Sequence, residues 1–343
     1  MDIIQVESNN LKKGNGVNLK VSIIGSTGRV GRAAAFCLAE EQSVMELYLH
    51  ARKSNLEQNK GEILDINDAL AAKGVRVKIN TSSNLENLKD SHVVVITAGI
   101  PRTPDMERME LGKENARIIA EYSLKIAKYA PDSIILVVSN PVDVMTYVAL
   151  KYSGFDKRKV LGLGNHLDSL RLKNYMARHF DVHVSEIHTR VIGQHGPYMV
   201  PLLSSTSIGG IPIEYYSAHD YFTDYKSFDL KHTIENVINA GSYIISKKGA
   251  TEYGPAFAIA NIVNTILNDE NQILTVSTLV EDLAEGVDEV CLGVPVKLGY
   301  NGIEGVVPVQ MDQNEKQAFI DAAKFIHEST KDIMIDLENN FPI

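Results

Sequence analysis

Residues 19–31 read Leu-Lys-Val-Ser-Ile-Ile-Gly-Ser-Thr-Gly-Arg-Val-Gly, a short β-branched run followed by three glycines spaced three apart. A helical pattern begins at Arg29. A glycine turn between a strand and a helix lets backbone N–H groups face a phosphate with no Cβ in the way. The plainer alternative is that the glycines only allow close packing of strand against helix. The residues predicted to contact a dinucleotide here are Gly25, Ser26, Thr27, Gly28, Arg29, Val30 and Gly31.

The next strand pattern, Glu46–His50, is followed by Ala51-Arg52-Lys53. An NAD-selective site usually ends this strand with an Asp or Glu that binds the ribose 2′-hydroxyl. Ala51 stands about where that acid is expected, and an arginine binds a 2′-phosphate through paired hydrogen bonds. Arg52 and Lys53 therefore favour NADP(H), with NAD(H) left open. An ordinary solvated basic turn is the plainer interpretation.

Composition narrows the functional class. The chain has 343 residues, 44% hydrophobic and 22% charged, which is typical of a globular protein with two domains. Its formal net charge of −9, with no basic block, argues against nucleic acid as a partner. No apolar run approaches the roughly 18 residues of a membrane span. Cys37 and Cys291 lie far apart and are expected to be free thiols in a reducing cytoplasm.

The first half alternates short apolar strand patterns with helical ones. The strand patterns are Val21–Ile24, Leu47–Leu49, Val75–Ile79, Val93–Thr97 and Ile134–Val138. Continuously apolar strands between helices indicate a parallel sheet covered on both faces. We predict an α/β fold in which residues 19–155 form a doubly wound (Rossmann) dinucleotide-binding domain. Residues 1–18 are polar and lack the apolar segment of a signal peptide, so we expect a flexible extension or at most a short extra strand.

Residues 156–343 change character. Helical patterns at His166–Phe180, Asp229–Lys248, Pro255–Asn268 and Gln313–Leu337 accompany strand patterns at Ile273–Val280 and Val290–Gly299. The Asn301-Gly302 pair is a strong hairpin signal. We predict an α+β substrate-binding and catalytic domain packed beside the parallel sheet. A cleft between the two domains would face the carboxyl ends of the parallel strands, where ligands bind in such folds.

Two segments of the second half carry residue types suited to proton transfer and anion binding. Asp168 and Arg171 lie three apart on one face of a predicted helix, where a surface ion pair is the plainer interpretation. His195 follows an apolar strand and has a glycine at positions 193 and 196. The glycines leave room for a substrate beside the imidazole, although a lone histidine is more often structural.

Two segments of the first half directly follow predicted strands and would therefore lie at the predicted cleft. Residues 97–108 contain one glycine, two prolines and two arginines, Arg102 and Arg108, in a loop that could close over an anion. Asn140 follows a buried strand at the edge where a cofactor ring would lie. A solvated charged loop and a turn-forming Asn before proline are the corresponding plain interpretations.

The chain resembles the lactate/malate dehydrogenase family, and most of all its archaeal malate dehydrogenases, in five segments that occur in the same order. They are the glycine turn, the arginine loop, Ser-Asn-Pro-Val-Asp at 139–143, Leu-Asp-Ser-Leu-Arg at 167–171 and Gly-Gln-His-Gly at 193–196. The resemblance runs from about residue 19 to the C-terminus. It implies reversible hydride transfer between (S)-malate and oxaloacetate by a cytoplasmic homodimer or homotetramer that needs no metal.

The resemblance also implies residue roles. His195 would donate and accept the proton of the substrate oxygen, and Asp168 would hold the ring and stabilise its imidazolium form. Arg171 would bind the substrate 1-carboxylate, and Arg108 would polarise the carbonyl. Thr251 would line the far wall of the pocket. Cofactor contacts beyond the glycine turn would come from Thr97, Ala98, Gly99, Asn115, Val138 and Asn140, the last of which would also reach the substrate.

Arg102 stands where malate dehydrogenases of this family carry an arginine and typical lactate dehydrogenases a glutamine. A monocarboxylate would leave its guanidinium buried and unpaired, so oxaloacetate is the predicted substrate. The main alternative is a dehydrogenase of another 2-hydroxy acid, lactate or sulfolactate. Arg102 argues against lactate but not against a sulfonate. An NAD-dependent glycosidase would need a metal-binding cysteine and histidine arrangement that Cys37 and Cys291 do not provide.

This chain departs from the family pattern near its histidine. Relatives often carry acids where this chain has Gln194 and Pro197. Fewer negative charges favour the neutral ring, so we predict a lower pKa for His195 than in those relatives. In the arginine loop, Asp105 stands where relatives frequently carry a glycine, and it would either stiffen the loop or pair with an arginine.

Overall fold

The computed structural model describes residues 19–100, 108–218 and 229–341. The predicted extension, residues 1–18, and most of the arginine loop, including Arg102 and Asp105, lie outside the described residues.

A parallel sheet forms the N-terminal half. Its strands are β1 (Lys20–Ile24), β2 (Glu46–His50), β3 (Lys78–Ser82), β4 (Val93–Ile96), β5 (Ile134–Val137) and β6 (Val160–Gly162). The helices that connect them are α1 (Arg29–Ala39), α2 (Leu56–Lys73), α3 (Arg108–Tyr129) and α4 (Val142–Ser153). The strand order is β3-β2-β1-β4-β5-β6, so the chain builds the sheet outward in one direction from β1 to β3 and in the other from β4 to β6. The prediction of a doubly wound sheet is therefore confirmed.

The second half contributes antiparallel strands and long helices. The strands are β7 (Ile187–His188), β8 (Val191–Gly193), β9 (Met199–Pro201), β10 (Ser207–Ile208), β11 (Ile211–Pro212), β12 (Ile273–Ala284), β13 (Val287–Gly299) and β14 (Gly302–Val306). The helices are α5 (His166–Phe180), α6 (Leu230–Lys248), α7 (Tyr253–Leu267) and α8 (Gln313–Asn340). β13 and β14 form the hairpin predicted at Asn301-Gly302, with Gly302 at φ 98°.

Most of the antiparallel strands continue the parallel sheet, whereas we predicted that they would pack beside it; β7, β10 and β11 form a separate three-stranded sheet. β12 pairs with β6 through Ser277 and Gly162, so one sheet runs from β3 through β6, β12 and β13 to β8 and β9. A Cβ at residue 162 would lie 2.2 Å from the Thr146 hydroxyl and 3.1 Å from the Ser277 Cβ, so glycine is what lets β12 approach this closely. The last parallel strand ends at Gly162, and the domain boundary at residue 155 stays a prediction.

Alternate residues of the central strands enter two separate cores. Val93 and Val95 pack in one cluster with residues of α1, α2 and α7, while Val94 and Ile96 pack in the other with residues of α3, α4 and α8. Both faces of β4 are therefore buried, as its uninterrupted apolar sequence predicts. None of the helices within the described ranges combines the length and apolar character that a bilayer crossing needs.

Candidate active site

The glycine turn joins β1 to α1 at the carboxyl edge of the sheet. Gly25 has φ 90°, and a Cβ there would lie 2.6 Å from the Ala98 backbone nitrogen. A Cβ on Gly31 would lie 2.5 Å from the Gly25 carbonyl oxygen. Gly28 caps α1 without a side-chain hydrogen bond, and the first turn of the helix holds no acidic residue. The free N–H groups of that turn fit the pyrophosphate of a dinucleotide.

Two side chains of the turn have partners inside the protein. Ser26 is buried, and its Oγ donates to the His50 carbonyl oxygen at 3.0 Å. Arg29 is exposed and donates from NH1 to the Lys248 carbonyl oxygen at 2.9 Å, at the end of α6. Ser26 therefore shapes the turn from within, and Arg29 joins the turn to the second half of the chain.

The basic turn after β2 lies against the glycine turn. The backbone N–H groups of Gly25 and Ser26 both donate to the His50 carbonyl, at 3.1 and 3.3 Å. Arg52 and Lys53 follow directly and are exposed. Residues 51–56 contain no Asp or Glu. The end of β2 thus presents cations, and no carboxylate, beside the glycine turn.

The ends of β4 and β5 are tied to each other and to the glycine turn. The Thr97 hydroxyl donates to the carbonyl oxygens of Ile24 and Gly25, both at 3.1 Å. Asn115, only 3% exposed, accepts from the Ile100 N–H at 2.7 Å and donates to the Asn140 carbonyl at 2.8 Å. Asn115, which we predicted as a cofactor contact, thus holds the segments after β4 and β5 together. Of the other predicted contacts on these two segments, Ala98, Gly99 and Val138 lie at the same edge.

A histidine and an aspartate form the centre of the site. His195 follows β8, and its Nδ1 lies 2.6 Å from Oδ2 of Asp168, in the first turn of α5. Asp168 is fully buried, and it also accepts from Arg171 NH1 at 3.1 Å and from Asn165 Nδ2 at 3.1 Å. The His195 side chain is 22% exposed. With Nδ1 bonded to Asp168, Nε2 is the ring nitrogen left for a substrate.

The electrostatics of this pair favour a charged imidazole. Burial alone would raise the pKa of Asp168, but His195, Arg171 and Asn165 outweigh it and lower that pKa. Burial alone would lower the pKa of His195, but Asp168 and then Asp143 outweigh it and raise that pKa above 6.5. The raised pKa favours the protonated ring, and a ring held in this way can give its proton to a substrate oxygen. That the pKa of His195 is lower than in relatives with acids at positions 194 and 197 stays a prediction.

A chain of contacts joins the pair to the glycine turn. Gly25 abuts Ala98, and the Ser139 hydroxyl donates to the Ala98 carbonyl at 2.6 Å. Four residues further on, Asp143 in the first turn of α4 accepts the His195 backbone N–H at 2.8 Å. The glycine turn and the His195–Asp168 pair therefore lie at one edge of the sheet.

Of the five predicted substrate contacts, Arg171 alone has a described contact with the pair. Arg102 lies outside the described residues, and Arg108 is described only as the first residue of α3. Thr251 is half-buried in the short connection between α6 and α7, and the described residues show no hydrogen bond from it to His195, Asp168 or Arg171.

The sequence analysis missed two polar contributors, Asn165 and Asp143. Asn165 is fully buried, and it also donates from Nδ2 to the Gln194 carbonyl at 2.9 Å. Asp143 stands inside a segment that carries the family resemblance, and Asn165 lies two residues before another. Their bonds to His195 and Gln194 span 52 and 29 residues, so no spacing rule reveals these contacts. Within the described ranges, no group of three or more His, Cys, Asp or Glu could hold a metal ion. Cys37 and Cys291 are buried free thiols.

Comparison with known proteins decides the family. The NAD-binding domain of lactate/malate dehydrogenases matches residues 19–162, and the α/β C-terminal domain of the same family matches residues 165–335. This chain belongs to the lactate/malate dehydrogenase family. It is 69% identical over 325 residues to a malate dehydrogenase of Methanothermobacter thermautotrophicus, covering 95% of this chain and 100% of the relative.

Two further similarities extend the range of relatives. An L-2-hydroxycarboxylate dehydrogenase (NAD(P)(+)) of Methanocaldococcus jannaschii is 45% identical over 317 residues, covering 92% of this chain and 99% of the relative. A solved lactate dehydrogenase from a deep-sea metagenome superimposes with a TM-score of 0.86 at 31% identity, over 92% of this chain and 99% of the solved one. The family and fold expected from the sequence are confirmed.

Proposed function

We propose that this protein is a malate dehydrogenase that interconverts (S)-malate and oxaloacetate with a nicotinamide cofactor. The observation that carries the proposal is the His195–Asp168 pair at 2.6 Å, with Arg171 beside it, at the sheet edge that also holds the glycine turn. The 69% identity to a malate dehydrogenase over 95% of the chain supports the substrate. The nicotinamide, when bound, supplies or accepts the hydride.

The residues of the chain manage the proton and the substrate charge. In the reducing direction, His195 Nε2 donates a proton to the carbonyl oxygen, which would otherwise become an alkoxide. Asp168 keeps Nδ1 protonated and balances the charge on the ring. Arg171, 16% exposed, is free on one side to bind a carboxylate as a planar fork.

Arg102 and Arg108 complete the substrate site in this proposal. We assign Arg102 to the second carboxylate of oxaloacetate and Arg108 to the carbonyl oxygen, on the basis of their positions in the family pattern. Pyruvate would leave Arg102 unpaired, which disfavours lactate as a substrate. A sulfonate in place of the second carboxylate remains the runner-up, since it is also an anion.

Product analysis tests the reaction directly. Purified protein with oxaloacetate and NADPH should yield (S)-malate and NADP⁺ in equal amounts, as measured by chiral chromatography and absorbance. His195→Gln should lose this conversion, while its circular dichroism spectrum stays that of the wild type. Formation of (R)-malate, or an equal yield from His195→Gln, contradicts the proposal.

NADP(H) is the proposed preferred cofactor. Support comes from Arg52 and Lys53, two exposed cations that follow shortly after His50, whose carbonyl accepts the backbone N–H groups of Gly25 and Ser26 in the glycine turn. No carboxylate occurs at residues 51–56 to bind a ribose 2′-hydroxyl or repel a phosphate. The L-2-hydroxycarboxylate dehydrogenase of Methanocaldococcus jannaschii is named for both NAD and NADP, which supports use of NADP(H) beside NAD(H) in this protein.

Charge reversal tests the cofactor preference. Arg52→Asp should lower kcat/KM with NADPH by about 10²-fold and leave that with NADH within a few fold, since a charge-assisted pair contributes about 1.5–3 kcal/mol. Arg76→Asp is the control, because Arg76 is also exposed but lies beyond α2. Equal loss with both cofactors, or equal kcat/KM for NADPH and NADH in the wild type, refutes the preference.

A homodimer or homotetramer is the proposed assembly, in the cytoplasm. Several large apolar side chains on α1, α2, α6 and α7 are exposed in the single chain: Phe36, Leu64, Tyr243, Ile245, Tyr253 and Phe257. Exposed apolar surface of this kind is typical of an interface between subunits. Light scattering coupled to size exclusion should give at least twice the 37.8 kDa of the chain.

A further inference from the structure

Asp143 is a buried carboxylate that the proposed reaction leaves without a role. It lies in the first turn of α4 and is 2% exposed. Its Oδ2 accepts the backbone N–H of His195 at 2.8 Å, and its Oδ1 has no hydrogen-bond partner among the described residues. The carboxylate thus holds the main chain of the catalytic histidine, while Asp168 holds its ring.

The surroundings of Asp143 contain few charges. The titratable groups near it are His195 after β8, Asp168 on α5 and the Cys291 thiol on β13. Ser277 on β12 lies close enough to lower its pKa, although the Ser277 hydroxyl does not reach hydrogen-bond geometry. Arg171 acts on His195 from the other side of the pair. Of His195, Asp168 and Cys291, His195 alone can offset the Asp143 charge with a positive one.

The pKa values of Asp143 and His195 depend on each other, because the two groups lie close together in a buried site. Burial raises the pKa of Asp143 to about 6, although the His195 N–H and Ser277 act in the opposite direction. The ionised carboxylate in turn raises the pKa of His195, after Asp168. A neutral amide would accept the same N–H without the cost of a buried charge. What the carboxylate adds to the site is negative charge beside the imidazole.

We propose that Asp143 is a positioning residue for the reaction: it fixes the main chain at His195 and supplies a second buried negative charge to the imidazole. This inference rests on the proposed function, because it concerns the proton that His195 gives to the substrate. It also accounts for how this chain keeps a chargeable imidazole with Gln194 and Pro197 in place of acids.

Asp143→Asn separates the two contributions, since it keeps an acceptor for the His195 N–H and removes the charge. In the reducing direction, kcat/KM falls as pH rises through the pKa of His195. We expect the midpoint of this fall to move down by about 1 pH unit, with the plateau at low pH retained. Asp143→Ala also removes the acceptor, and we expect it to lower the plateau by about tenfold or more.

A second measurement does not depend on turnover. Diethyl pyrocarbonate modifies neutral imidazole, so its rate at the His195 peptide, followed by mass spectrometry against pH, reports the His195 pKa in the free protein. The same downward shift is expected in Asp143→Asn. Asp156→Asn, at an exposed acid that pairs with Arg158, is the control and should shift neither profile.

The outcomes are distinct. A downward shift in both profiles supports the role of Asp143, and unchanged profiles in Asp143→Asn overturn it. If that variant does not fold, Ser277→Ala decides, because loss of the hydroxyl raises the Asp143 pKa and should shift both profiles down by a smaller amount. If the modification profile shifts but the wild type does not turn over oxaloacetate, the proposed function fails while the contact between Asp143 and His195 stands.

Discussion

Replacing Asp168 by asparagine removes the charge that stabilises imidazolium and leaves the shape of the site nearly unchanged. Asp168 is fully buried, 2.6 Å from His195 Nδ1. Removing one partner of a buried charge pair costs about 3–5 kcal/mol. Because about 1.36 kcal/mol is a factor of ten in rate, the expected loss in kcat/KM for oxaloacetate reduction is about 10²- to 10⁴-fold.

The assay follows NADPH absorbance at fixed, saturating cofactor across pH 5–9, so that both kcat/KM and the titration of His195 are obtained. The midpoint of the titration should move to lower pH, since the carboxylate that raises the His195 pKa is gone. The matched control is Asp156→Asn, which removes an exposed carboxylate bonded to Arg158. It should change kcat/KM by less than about twofold, because surface pairs contribute little.

Loss of less than tenfold in Asp168→Asn, with the His195 titration unmoved, would refute the assignment of this pair to proton transfer. A loss confined to KM would point to Arg171, which also bonds Asp168 at 3.1 Å, as the affected group.

The remaining predictions concern the cofactor turn, the substrate anions and pH. Gly25→Ala should destabilise the fold by about 1–3 kcal/mol, because φ is 90° there and the new Cβ would lie 2.6 Å from the Ala98 backbone nitrogen. Gly61 lies inside α2, and a Cβ there would have no neighbour within 4 Å. Gly61→Ala should therefore stabilise the fold by about 0.5–1 kcal/mol, as measured in the same thermal melts. Arg171→Lys should raise KM for oxaloacetate about 10- to 100-fold, since lysine cannot replace a planar fork; an unchanged KM speaks against carboxylate binding there. Arg102→Gln should shift kcat/KM toward pyruvate, and retained selectivity for oxaloacetate would count against its role. The reduction rate should fall as pH rises, with a midpoint above 6.5, because Asp168 and Asp143 raise the pKa of His195.

The fold could be predicted where hydrophobic pattern and packing agree. Strands β1, β4 and β5 are buried on both faces, so the apolar runs in the sequence give their positions to within about a residue. Helix α5 begins and ends at the residues that the helical pattern predicts, His166 and Phe180. β3 was predicted at Val75–Ile79 but lies at Lys78–Ser82. It pairs with β2 alone and is largely half-buried, so its own sequence is polar, and the apolar Val75 and Val77 lie in the turn before it.

The strand β6 and its pairing with β12 could not be predicted. β6 has three residues, too few for a periodic signal, and the pairing depends on the absence of a side chain at Gly162. Because of this contact, the second half extends the sheet that we expected it only to flank.

The candidate site could be predicted as residue types but not as contacts. His195, Asp168 and Arg171 stand in recognisable segments, and the structure brings all three together. The bonds from Asn115, Asn165 and Asp143 join segments 25 to 52 residues apart, and all three use a backbone group that almost any residue could offer. Such contacts carry no sequence signature.

If His195 protonates oxaloacetate while the cofactor delivers hydride, NADPH oxidation must depend on both the substrate and the imidazole. Initial rates should be measured with oxaloacetate, pyruvate and 3-sulfopyruvate at equal concentration, in the wild type and in His195→Gln. We expect oxaloacetate to be the best substrate by at least about 10²-fold over pyruvate and His195→Gln to be inactive. Equal rates with pyruvate, a higher rate with 3-sulfopyruvate, or an active His195→Gln would contradict this expectation.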